Sequence, residues 1–102
     1  MTIPEISLYL MRAIVYDNDF VNRWNPENSE RLYEPFEEIL YNAIEPAYCE
    51  LGEDFFTEEF CDGFATGSYE DMTAYVKKYP VLVPLQEALD RYFNWLDNLG
   101  LA

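Results

Sequence analysis

Apolar residues recur three and four positions apart along most of the chain, the spacing of helices buried on one side. Thr2-Ile3-Pro4-Glu5 reads as a helix start, with threonine as cap, proline tolerated in the first turn, and Glu5 three residues on to close a capping box. Ile6, Leu10, Ala13 and Ile14 carry the apolar stripe to about Tyr16. Asp17-Asn18-Asp19 breaks this helix and opens a short turn with Phe20, Val21 and Trp24. Asn25-Pro26 ends the turn, because the residue before a proline is pushed out of the α region.

Ser29 caps the next expected helix, which runs from Glu30 to about Glu45, with Pro35 in an early turn and Pro46 as a kink or a restart. At roughly 100° per residue, Leu32, Phe36, Ile39, Leu40 and Ala43 fall in one arc, and Glu30, Glu34, Glu37, Glu38 and Glu45 fall opposite. Ala47 to Leu51 add a turn or two before Gly52. Glu53-Asp54 then offers a cap for a helix whose apolar stripe is Phe56, Phe60 and Phe64. Asp54, Glu58, Glu59 and Asp62 lie on its other side with Phe55 among them, and Ala65-Thr66-Gly67 reads as a loop.

Ser68, followed by Glu70 and Asp71, starts a fourth helix lined by Met72, Tyr75, Val76 and Tyr79 and closed by Lys77-Lys78 and Pro80. Val81-Leu82-Val83 reads as a short extended link, too brief and isolated to imply a sheet. Pro84 opens the last helix, where Leu85, Ala88, Leu89, Tyr92, Trp95 and Leu99 form a wide apolar face ending at Gly100. The expected architecture is all-α, a compact single-domain bundle of about five helices over residues 1–102.

Composition adds a charge problem to this pattern. The formal net charge is −14, and residues 27–71 hold 14 of the 20 acids against one base, Arg31. Disordered acidic chains are poor in aromatics, whereas this one is 50% hydrophobic with nine Tyr, seven Phe and two Trp, so it is expected to fold. No apolar run approaches the roughly 18 residues of a membrane helix, and Met1-Thr2-Ile3-Pro4-Glu5 lacks the basic start of a signal peptide. A cytoplasmic protein without membrane contact is the expectation.

The chain contains no histidine, which removes the commonest general base and metal ligand together with any Ser-His or Cys-His nucleophile pair. Cys49 and Cys61 stand eleven residues apart without a CxxC pattern and read as buried free thiols. Asp17-Asn18-Asp19 begins like a calcium loop, but its sixth position is Asn22 and its twelfth Asn28, where such loops need glycine and glutamate. A di-iron helical site needs Glu-x-x-His pairs, and no carboxylate pair is marked as a buried acid beside a solvated one. Ser7, Ser29 and Ser68 are read mostly as capping residues. No catalysis, cofactor or metal is expected. With six Lys and Arg against twenty acids, direct nucleic-acid contact is also excluded, because affinity for phosphates comes from basic side chains.

The acids themselves are the candidate chemistry. Like charges at i, i+4 cost a few tenths of a kcal/mol each in an isolated helix, and the Glu30/Glu34, Glu34/Glu38 and Asp54/Glu58 pairs accept that cost. Uncompensated repulsion suggests compensation from outside, by a basic partner protein. Aromatics on the same faces supply candidate anchors: Tyr41, Tyr48 where the helix continues past Pro46, and Phe55. The candidate partner-binding residues are therefore Glu30, Glu34, Glu37, Glu38, Tyr41, Glu45 and Tyr48 on one face, and Asp54, Phe55, Glu58, Glu59 and Asp62 on the other.

In size, acidity and helicity, with the Glu30–Glu45 stripe as its main carrier, the chain resembles the immunity proteins that bacteria keep against nuclease toxins. That resemblance implies a tight one-to-one complex in which acids cover the toxin's basic nucleic-acid cleft, by direct occlusion or from an adjacent surface. Phage proteins that mimic DNA to block restriction or CRISPR machinery have similar ingredients. The third reading is a helical interaction module whose acids only solubilise it. The oligomeric state stays open, and the one-surface inhibitor requires that the two acidic faces adjoin.

Overall fold

Thr2 caps the first helix as its sequence predicts. In the computed structural model, which describes residues 1–17 and 32–99, α1 spans Ile3–Asp17. Glu5 N–H donates to Thr2 Oγ1 at 3.4 Å, while Thr2 N–H and Oγ1 donate to Glu5 Oε1 at 3.3 and 2.8 Å. Two adjoining stripes of α1 are buried, Ile6-Leu10-Ile14 and Ser7-Met11-Val15, which is a wider face than one partner helix would cover. The width follows from position: α1 packs on α2 at one side and α3 at the other, and also touches α5.

α2 spans Glu34–Leu51 and starts later than the expected Glu30. Tyr33 is its N-cap and supplies no side-chain hydrogen bond. Pro35 explains the later start, since in a helix from Glu30 it would lie in the second turn and clash with the carbonyl four residues back, whereas here it sits in the first. The helix passes Pro46 without a restart. Asn42 and Pro46 are both exposed, so the carbonyl that the proline leaves without a donor faces water, while Ala43, Ile44 and Ala47 are buried. Gly52 ends α2 at φ 86° and ψ 166°, a conformation that a side chain disfavours, and its N–H donates to the Tyr48 carbonyl at 3.0 Å.

The third helix starts beyond the expected Glu53-Asp54. Glu53–Phe55 form a 3-10 turn, and α3 spans Glu58–Thr66 with Thr57 as cap, its hydroxyl accepting from Phe60 N–H at 3.1 Å. Ala65 and Thr66 belong to this helix rather than to a loop. α4, Tyr69–Lys78, opens with the Ser68–Asp71 capping box and ends on Lys77 and Lys78, whose charges suit the negative helix end. Val81 and Leu82 are not an extended link: Pro80–Leu82 wind as a 3-10 turn and α5 spans Val83–Leu99. Pro80 and Pro84 both fix φ near the helical value, so each favours a first turn over an extended strand.

Together these elements form an all-α bundle with five α-helices and no strand among the described residues. Two aromatic clusters hold it. Tyr48, Phe56, Phe60 and Phe64 succeed one another at ring distances of 5.9, 5.5 and 5.3 Å, and Tyr75 of α4 meets Phe60 edge-on at 5.1 Å. Phe36, Tyr92 and Trp95 join α2 to α5. The expected Phe20–Trp24 turn, the Asn25-Pro26 stop, the Ser29 cap, Glu30 and the Gly100 stop lie outside the described residues. Of the two free cysteines, Cys61 is buried as expected, but Cys49 is exposed. It follows Glu45 by four residues on the outer side of α2.

Candidate partner-binding site

A groove of about 480 Å³ runs between α1 and α2. Ser7, Leu8 and Met11 of α1 line one part of it, and Glu37, Glu38 and Tyr41 of α2 the other. Met11 is fully buried, whereas Tyr41 is 40% exposed, so an apolar floor rises to an acidic and aromatic edge. The helical repeat explains the edge. Glu34, Glu38, Tyr41 and Glu45 follow one another at steps of four, three and four, which places them in a line along α2. Among the described residues, no lysine or arginine lines this groove.

A second groove lies on the other side of α1, where Leu8, Tyr9 and Arg12 face Glu58 and Asp62 of α3. Leu8 lines both grooves, so the acids of α2 and of α3 stand on opposite banks of one exposed α1 ridge. The banks differ in the groups that line them. Tyr9 donates its phenol proton to the Asp62 carboxylate, and that bond, burial and the nearby acids raise its pKa. Arg12 enters the α3 bank as a cation, and Met1, whose amino group pairs with Glu53 at 3.6 Å, lines it as well. That is the one ion pair among the described residues.

Not every sequence candidate belongs to this surface. Glu37, Glu38, Tyr41, Glu58 and Asp62 border the two grooves, with Glu34 and Glu45 exposed in line with them. Glu59 instead lines a third groove between α3 and α4, beside Asp71 and Lys78. Asp54 is exposed on the 3-10 turn. Tyr48 and Phe55 are half-buried and pack against the core: Tyr48 stacks on Phe56, and Phe55 packs on Phe60 at 4.5 Å and Tyr79 at 4.9 Å. For Phe55 the reason is a broken register, since the turn at Glu53–Phe55 and the new start at Thr57 void any angle counted across them.

Ser7 is not a capping residue. It lies inside α1, 4% exposed, and its Oγ has no hydrogen-bond partner. The available signal was a polar residue within the Ser7-Met11-Val15 stripe. Among the described residues, no group of three or more His, Cys, Asp or Glu side chains is placed to hold a metal ion, and no helix is long and apolar enough to cross a membrane. No protein-family model, curated protein or solved structure matches the chain.

Proposed function

We propose that the chain is a non-catalytic acidic inhibitor that binds and neutralises a basic nucleic-acid-processing protein, acting in the cytoplasm as the immunity protein of a bacterial nuclease toxin. The observation that carries this reading is the placement of Glu37 and Glu38 on one bank of the α1 ridge and of Glu58 and Asp62 on the other, with Leu8 in both grooves. Carboxylates spaced along a helix edge can stand where a nuclease normally holds phosphates. The ridge between them provides apolar contact, and Tyr41 offers a half-exposed ring of the kind that anchors interfaces. In this division of labour charge sets the encounter rate and the partner's sign, and the ridge and ring set affinity.

Capture of purified basic nuclease domains at low salt and at about 1 M salt, where the screening length falls to roughly 3 Å, tests the proposal. A chain with Glu34, Glu37, Glu38 and Glu45 all changed to Gln is expected to associate about tenfold or more slowly at low salt, with the difference shrinking at high salt. Capture without salt dependence, or equal retention on polylysine, would leave only a solubilising acidic surface.

A further inference from the structure

Three grooves can be compared by the charges that line them. The α1–α3 groove contains Arg12, and the α3–α4 groove contains Lys78. Among the described residues, the α1–α2 groove contains Glu37 and Glu38 and no basic side chain. Its floor adds an independent feature, because Ser7 lines it with a buried Oγ that bonds to nothing. A buried hydroxyl without a partner costs about 1–3 kcal/mol, and an alanine would fill the same position in a helix at no such cost. Carboxylates at the edge, an apolar wall and an unused hydroxyl below match one kind of side chain: a long apolar stem ending in a cation with several donors.

We infer that the α1–α2 groove is the pocket for an arginine side chain of the basic partner. The stem lies along Leu8 and Met11, the guanidinium donates to the Glu37 and Glu38 carboxylates, and Ser7 Oγ accepts one further N–H. Arginine is favoured over lysine because its five donors lie in a planar fork that can reach several acceptors at once, while an ammonium is a compact point charge with a stronger hold on water. At about 480 Å³ the groove is roomier than one side chain, so the segment that delivers the arginine enters with some of its own backbone. This inference rests on the inhibitor reading for the origin of the arginine, and on the groove alone for its chemistry.

Titration of the isotope-labelled chain at low salt with N-acetyl-arginine methylamide, followed by NMR, tests it. The Ser7 and Leu8 amides and the Met11 methyl group are expected to shift saturably, with the matching lysine derivative several-fold weaker and the norleucine derivative without effect. Glu37→Gln with Glu38→Gln should weaken the arginine derivative about tenfold or more. Ser7→Ala should weaken it about three- to tenfold, the worth of one hydrogen bond, while leaving the thermal midpoint equal or higher, an outcome that a merely structural serine would not give. Shifts spread evenly over Glu58, Glu59 and Asp62, or an equal response to norleucine, would overturn the pocket. The two proposals fail separately: scattered shifts remove the pocket even where a nuclease is captured salt-dependently, and saturable shifts beside salt-independent capture remove the inhibitor and keep the pocket.

Discussion

The Tyr92 phenol donates a 2.7 Å hydrogen bond to the backbone carbonyl of Leu32, sixty positions earlier in the chain. Both residues are buried, and the Tyr92 ring meets Phe36 edge-on at 5.1 Å. Through this one side chain α5 holds the entry to α2, the helix that carries Glu34, Glu37, Glu38 and Tyr41. The entry needs such a hold, because Tyr33 gives α2 no side-chain cap.

Tyr92→Phe retains the ring and deletes the donor, leaving the Leu32 carbonyl buried without it. A loss of about 1–3 kcal/mol in unfolding free energy is expected, measured by urea denaturation with an unchanged slope. A midpoint equal to that of the original chain would mean that water replaces the phenol at no cost.

The two cysteines should separate by reactivity. Burial, with Asp62 adding to it, pushes the Cys61 thiol up to about 12, so it has almost no thiolate at pH 8, whereas Cys49 is exposed. One thiol is expected to react rapidly with a disulfide reagent in the native protein, and the second only on unfolding. Mass spectrometry of the singly labelled product should place the label on Cys49. A fast label on Cys61 would contradict its burial.

Asp90 gives a pH dependence of known sign. Desolvation raises its pKa, so its contribution to stability is fully present below the ordinary aspartate value, about 3.9, and is lost as pH rises through its folded-state value. Asp90→Asn, which removes the charge, is therefore expected to raise the unfolding midpoint at pH 7, with the gain fading below about pH 3.9. Glu5 has the opposite sign. Its hydrogen bonds with Thr2 lower its pKa, so the stability that it lends α1 is present above the ordinary glutamate value and is lost as pH falls through the lowered one. Urea midpoints of Asp90→Asn and of Glu5→Gln at pH 7 and pH 3 would show the two trends diverging.

Much of the helical framework was legible because its causes are local. Thr2 with Glu5 and Ser68 with Asp71 each form a cap within four residues, and both caps stand as their sequence predicts. The stripe of Phe56, Phe60 and Phe64 is buried as expected, although Phe56 precedes the helix instead of belonging to it. A helical angle does not carry across a break in the helix. Counted through Glu53–Phe55, Phe55 falls on an acidic face that the 3-10 turn cancels, whereas Tyr48 lies on the unbroken α2 and its ring stacks on Phe56.

The sequence by itself determined that this chain is helical, acidic and concentrated in its charge, because spacing, capping and composition act through neighbours within a turn or two. Only the tertiary structure decided which acids share a surface. α1 lies between α2 and α3, so Leu8 borders both grooves and Ser7 lines one of them. Such adjacency depends on which helix faces pack together across long stretches of chain, and no periodicity within one helix contains that information.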